Sequence, residues 1–375
     1  MSPAMAVTAE TMKKDDPLQS QYQKGVKHLW ESGIKSVPMK YVLPVLERPV
    51  AMNGESYATR LNLKLPVIDF AELQGSNRPQ VLKSLANACE NYGFFQLVNH
   101  GISNDAISNV LDVAGRFFEL PFEEREKYMS VDMRSPVRYG TSFNQTKDGI
   151  YCWRDFLKLV CNPDIVPHWP SSPVDFRIMA AIYAKETKFL FLMVAEAILE
   201  SLGLTTTENK TKEEEEDDIL KELQDGSQLM VVNCYPPCPE PDLTLGMPPH
   251  SDYGFLTLLL QDEVEGLQIQ FQEKWVTIEP IPNSFVINVG DHLEIFSNGR
   301  YKSVIHRVLV NSMKSRLSVA SLHSLPFSSM VRPSPKLISD ANPRRYMDTD
   351  FPAFIKYIES CDSTKKKFLE SRRLC

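Results

Sequence analysis

Lys302-Ser-Val-Ile-His-Arg-Val-Leu-Val310 and, after a break of five polar or turn-prone residues, Arg316-Leu-Ser-Val-Ala-Ser-Leu322 decide the architecture of this chain. Both runs are short and rich in β-branched and apolar residues, and Asn311-Ser-Met-Lys-Ser315 separates them as a turn would, so each reads as a strand. The same pattern extends backwards through residues 229–234, 255–261, 267–271, 275–278 and 284–289, with Gly, Pro and Asn between the runs. Many short strands at close spacing predict a sandwich or barrel-like jelly roll.

Upstream of this region the period changes. Helical spacing of apolar residues predicts helices over residues 78–91, 104–119, 122–129 and 176–202, the last closed by Gly203. Leu65-Pro-Val-Ile-Asp69 and Gly93-Phe-Phe-Gln-Leu-Val-Asn-His-Gly101 read as short strands within this helical part. The expected organisation is an N-terminal arm (1–60), a helix-rich part (61–204), a charged loop (205–226) holding Glu213-Glu-Glu-Glu-Asp-Asp218, a β-core (227–330), and a C-terminal helix and tail (331–375). The fold class is therefore α+β with a mainly β core.

Composition narrows the function. The chain has 375 residues, 43% hydrophobic and 24% charged, enough to bury a substantial core, and 41 basic against 48 acidic side chains give a net charge of −7. With no basic surplus to neutralise phosphates, nucleic acid and anionic membrane are poor partners. The opening residues lack the apolar core of a secretory signal, and the most apolar run, residues 189–195, is broken by Glu196 and Glu200. Seven cysteines, an odd number without regular spacing, fit a reducing cytoplasmic setting better than a disulfide framework or a zinc site at Cys234 and Cys238. A monomer is expected.

Within the β-core, His250-Ser-Asp252 sets an imidazole and a carboxylate two residues apart, which extended backbone points to one face. His306 lies 54 residues further on (306 − 252), on a run that can face the first. Two histidines and one carboxylate leave three positions of an iron open, the arrangement of non-haem Fe(II) oxygenases. Ten residues after His306 (316 − 306), Arg316 and Ser318 share a face, and the guanidinium is a fixed fork for a carboxylate.

These five residues and their order resemble the plant 2-oxoglutarate- and Fe(II)-dependent dioxygenases, the family of flavanone 3-hydroxylase, anthocyanidin synthase and salicylate hydroxylases. The entry strand at 65–69, the stretch 93–101, Asn233-Cys-Tyr-Pro-Pro-Cys-Pro239 and Gly290-Asp-His-Leu-Glu-Ile-Phe-Ser-Asn-Gly299 carry the likeness over residues 65–330. It is most pronounced toward salicylate hydroxylases of the downy-mildew-resistance type, through Thr141-Ser-Phe-Asn144 and Trp153-Arg-Asp-Phe-Leu157. The resemblance implies a double-stranded β-helix. It implies iron on His250, Asp252 and His306, and 2-oxoglutarate on Arg316 and Ser318 with Tyr235 and Asn233 beside it. Dioxygen is the second co-substrate and ascorbate the expected reductant.

The implied reaction is hydroxylation or desaturation of a small apolar plant metabolite, aromatic or terpenoid, placed against Phe143, Ala320 and Leu322. Two rivals remain at this point: an iron oxidase using ascorbate without 2-oxoglutarate, and a metal-free protein that binds small molecules. His28, His100, His168 and His292 read as structural. Alternation turns His323 away from the face of Arg316 and Ser318. Phe94, Phe95, Phe117 and Phe118 read as core.

Overall fold

The structure, a computed structural model, describes residues 24–49, 64–142, 148–204, 219–360 and 368–374. Phe143 and the acidic run 213–218 lie outside the described residues. Among the described residues, β1 (Val67–Asp69), β2 (Phe94–Val98), β3 (Val137–Thr141), β4 (Asp155–Val160), β5 (Ser227–Tyr235), β7 (Leu256–Gln261), β10 (Phe285–Val289) and β12 (Arg316–Ser324) form one sheet in the order β1-β2-β10-β7-β12-β5-β4-β3. A second sheet, β6-β11-β8-β9, holds β6 (Met247–His250), β8 (Leu267–Phe271), β9 (Lys274–Thr277) and β11 (His306–Val308). Both sheets line a cavity of ≈ 280 Å³. This is the jelly roll expected from the strand pattern.

Alternation divides the large sheet into a wet face and a dry one. On β12, Ser318, Ala320 and Leu322 line the cavity. The intervening Val319 joins the core beneath the 26-residue helix Phe176–Ser201, whose Leu190, Phe191, Val194 and Ile198 are buried there. Each such side chain contributes roughly 1.5–3 kcal/mol on leaving water. Helix Asn104–Glu119 packs on this helix through Ile107, Val110, Val113, Ala114, Phe117 and Phe118, a 3–4 residue stripe, and Ser103 caps its start by accepting from the Ala106 amide at 3.1 Å.

Three local expectations are corrected. The helix-rich part also supplies β3 and β4, which were not read as strands because both faces of β4 are largely enclosed and Lys158 interrupts its apolar pattern. β11 is three residues long rather than spanning residues 302–310, since its pairing with β6 and β8 covers only His306 to Val308. The end of the stretch 205–226, expected as a charged loop, is a short helix, Ile219–Gln224; a further short helix, Asp291–Phe296, seats His292 in the interior, its Nδ1 2.6 Å from Ser324 Oγ.

The segment 24–49 is docked on the β-core. The short helix Val26–Glu31 starts at Gly25, and Asp155 of β4 accepts from the Val26 and Lys27 amides at 2.9 and 3.0 Å. A carboxylate at the positive end of a helix caps its free amides. Gly25 has φ +95°, and a Cβ there would stand 2.5 Å from Asp155 Oδ1, so only glycine allows the approach. Val26, Leu29 and Tyr41 then pack with Trp153, Tyr235, Met247 and Val308 behind the site.

Candidate metal and carboxylate sites

β6 and β11 are antiparallel with His250 directly opposite His306, and the imidazoles face each other with centroids 4.2 Å apart. β6 ends at His250, so Asp252 is not presented by strand alternation as the spacing suggested. It lies on the loop beyond, where Thr257 Oγ1 and Asn288 Nδ2 donate to its Oδ2 at 2.6 and 2.9 Å. That clamp turns Oδ1 toward both rings, 3.6 Å from His250 Nε2 and 3.7 Å from His306 Nε2. Gly290 makes room for the loop: a Cβ would meet the Gly254 and Asp252 carbonyl oxygens.

Each histidine is oriented through its other nitrogen. His250 Nδ1 lies 2.9 Å from the Pro248 carbonyl and His306 Nδ1 3.2 Å from that of Val304, a pairing that puts the proton on Nδ1 and leaves both Nε2 lone pairs for a metal. Phe94 packs edge-on against His306 at 5.4 Å, so it braces the site and lines the cavity besides filling core. Burial opposes ionisation of Asp252, but the His306 and His250 rings, when protonated, and the Thr257 and Asn288 donors outweigh it and hold the carboxyl below its usual range. Among the described residues these three offer ligand atoms within 4.8 Å of one another, a donor set that suits a divalent iron.

The second site is built on β12 and β5, whose register places Arg316 opposite Tyr235 and Ser318 opposite Asn233. Arg316 is 2% exposed and fully tethered on one side. Its Nε donates to the Val264 carbonyl at 3.1 Å, its Nη2 to Gln261 Oε1 at 2.9 Å, and the guanidinium lies 5.2 Å over the Tyr235 ring. Nη1 is buried with no hydrogen-bond partner. An orphaned cationic donor at the cavity wall fits an anionic ligand, and a carboxylate of 2-oxoglutarate would satisfy it. Gly266 leaves the space, because a Cβ there would lie 2.9 Å from Arg316 Cδ.

Sequence reasoning missed the residues that hold these groups. Thr257, Asn288, Gln261 and the Val264 carbonyl carry no motif, and neither did the wall formed by Tyr253, Phe327, Phe351, Phe354, Ile358 and Phe368, brought over the cavity by helix Phe351–Ser360 and its neighbours. His323 does turn away: its ring stacks on Phe191 at 4.4 Å on the helix side of the sheet. His100 is a turn residue whose Nδ1 accepts from the Ile102 amide.

Comparison with known proteins agrees with this geometry. Residues 226–324 match the 2OG-Fe(II) oxygenase superfamily, and residues 65–175 match the N-terminal family described as non-haem dioxygenase in morphine synthesis. Protein DMR6-LIKE OXYGENASE 1 of Arabidopsis thaliana is 42% identical over 81% of this chain and 84% of its own length. Flavanone 3-dioxygenase 2 of Oryza sativa subsp. japonica is 40% identical over 89% and 94%. The crystal structure of JOX2 in complex with 2OG, Fe and JA superposes with a TM-score of 0.79 at 30% identity, covering 94% of this chain and 98% of that one. Likeness at this level over nearly the whole length shows that the chain belongs to the 2OG-Fe(II) oxygenase superfamily and is a 2-oxoglutarate-dependent dioxygenase.

Proposed function

We propose that His250, Asp252 and His306 hold the iron, that Arg316 and Ser318 grip the far carboxylate of 2-oxoglutarate with Tyr235 and Asn233 alongside, and that the prime substrate is a small, largely apolar plant metabolite. The observation that carries this reading is the pairing of two half-built sites across one cavity: three convergent ligand atoms, two from the small sheet and one from the loop after β6, and an unpartnered guanidinium nitrogen on the large sheet. Bound iron with 2-oxoglutarate supplies the oxidising power from dioxygen, releasing succinate and carbon dioxide. The chain contributes placement. Thr257 and Asn288 keep Asp252 aimed, the Pro248 and Val304 carbonyls keep each Nε2 unprotonated, and the Arg316 tethers fix one end of the co-substrate so that its other end reaches the metal.

Ala320 and Leu322 continue the inward face of β12 and line the cavity, and the aromatic wall from the C-terminal region supplies apolar surface. These features support an aromatic or terpenoid substrate, hydroxylated by default. The reading includes a cytoplasmic, monomeric enzyme using ascorbate as reductant, of which the five free cysteines among the described residues support only the reducing compartment. The test is to incubate purified protein with Fe(II), ascorbate, 2-oxoglutarate and a plant metabolite extract, following succinate and oxidised products together. Succinate released in step with product supports the reading. Product without succinate would instead favour the ascorbate-driven oxidase. His250→Ala, Asp252→Ala and His306→Ala should each lose iron affinity and turnover, and a fully active variant would remove its residue from the ligand set.

A further inference from the structure

Two of the segments that bring ligand atoms together are irregular where they reach the site. β6 stops at His250 and Asp252 follows on a loop, while β11 starts at His306 and residues 302–305 before it belong to no strand. Strand pairing sets His250 against His306, but it does not set the Asp252 loop against the approach to His306. That approach matters, because the Val304 carbonyl within it orients the His306 ring. Something other than the sheet must hold the two segments at a fixed separation.

The short helix Asp291–Phe296 lies between them and is bonded to both. At its start the amides of Gly290, Asp291 and His292 donate to the carbonyls of Phe255, Asp252 and Gly254 at 3.0, 2.8 and 3.0 Å, gripping the Asp252 loop. One turn on, Glu294 accepts from the Ser303 amide at 2.6 Å, gripping the approach to His306. The Asp291 side chain joins the two directly. Its Oδ2 accepts from Ser251 Oγ at 3.2 Å and its Oδ1 from Ser303 Oγ at 2.7 Å. One carboxylate thus bridges a serine set between the first two ligands and a serine three residues before the third (306 − 303).

Asp291 is 1% exposed, and both partners of its carboxylate are neutral hydroxyls. Burying a carboxylate in this way opposes folding, and an apolar side chain of similar size would cost the fold less. Its placement at the cavity edge, spanning the two ligand-bearing segments, gives it a use that stability does not. We infer that Asp291 is a positioning residue for the metal site, a brace that sets the separation of Asp252 from His306 and through it the affinity for the ion. Thr257 and Asn288 aim the Asp252 carboxylate, whereas Asp291 places the loop that carries it. The inference rests on reading His250, Asp252 and His306 as the iron ligands.

The experiment titrates Mn(II) calorimetrically into full-length wild type, Asp291→Asn, Asp291→Leu, Ser251→Ala, Ser303→Ala and the double serine variant, with urea unfolding to show that each is folded. Asparagine can accept from one serine and donate to the other, so Asp291→Asn should bind Mn(II) within about threefold of wild type. Leucine cuts both links, and Asp291→Leu should bind about 10- to 100-fold more weakly. A brace cut at either end is cut, so the double serine variant should bind no more than about twofold more weakly than the weaker single one. Wild-type affinity in a folded Asp291→Leu or in both serine variants, serine effects that multiply, or an Asp291→Asn as weak as Asp291→Leu overturns the inference, the last because charge rather than bridging would then be at work. Should Asp291→Leu not fold, the serine variants decide alone. His306→Ala separates the two levels. If it binds Mn(II) as tightly as wild type, the ligand reading falls; if it binds weakly while the Asp291 and serine variants match wild type, the brace alone falls.

Discussion

Arg316→Lys should weaken 2-oxoglutarate binding by about 10- to 150-fold while leaving the iron ligands undisturbed. Lysine keeps the positive charge, so long-range attraction survives and any loss reports geometry. In the native side chain two of three guanidinium nitrogens are used up on the protein, Nε on the Val264 carbonyl and Nη2 on Gln261 Oε1, and this fixes where the third points. Nη1 is left for the ligand. An ammonium has no rigid plane, and to reach Gln261 or Val264 it must turn away from the co-substrate. The loss is then one charge-assisted hydrogen bond, about 1.5–3 kcal/mol, which converts to the stated range. Leaving one of the two protein acceptors unpaired should also lower folding stability by about 1–3 kcal/mol. Calorimetric titration of 2-oxoglutarate into Mn(II)-loaded variant and wild type measures the first quantity, and urea unfolding the second. A folded variant whose dissociation constant lies within twofold of wild type would refute the assignment of Arg316 as the carboxylate fork.

Asp155→Ala should cost on the order of 2–5 kcal/mol and release the helix Val26–Glu31, because the buried carboxylate is the acceptor for the Val26 and Lys27 amides and the Tyr139 hydroxyl; urea unfolding and proteolysis near residue 25 would show it, and an unchanged cleavage pattern would argue against docking through this cap. Leu322→Phe should change product distribution or substrate preference with under about 1 kcal/mol lost in stability, since the side chain faces the cavity rather than the core; a destabilised variant with unchanged preference would contradict that placement. Lys158 gives a pH signature. Its folded pKa, about 8, lies below that of the unfolded chain, so the folded state binds this proton more weakly, the charged form costs stability below about pH 8, and stability relative to Lys158→Met should rise between about pH 8 and 10.4. Denaturation midpoints of the two proteins across that window would test it, and parallel curves would place the ammonium in water.

What could be read from the amino-acid order alone was whatever repeats locally or depends on residue type. Short β-branched and apolar runs separated by Gly, Pro and Asn after residue 227 marked the β-core, 3–4 spacing marked helices over 78–91 and 104–119 with their observed ends, and a His-x-Asp pair with a distant histidine and an Arg-x-Ser pair pointed to iron and a carboxylate. Strand alternation also turned Ala320 and Leu322 inward and His323 outward, because side-chain direction along a strand is fixed by its pleat. Tertiary structure decided the rest. The aim of Asp252 is set by Thr257 and Asn288 from two other strands, and the free nitrogen of Arg316 by Gln261 and Val264. Thr257 is only five residues beyond Asp252, but Asn288 lies 36 residues from Asp252, and Val264 and Gln261 lie 52 and 55 from Arg316, so those contacts arise only when strands from distant parts of the chain are paired in one register.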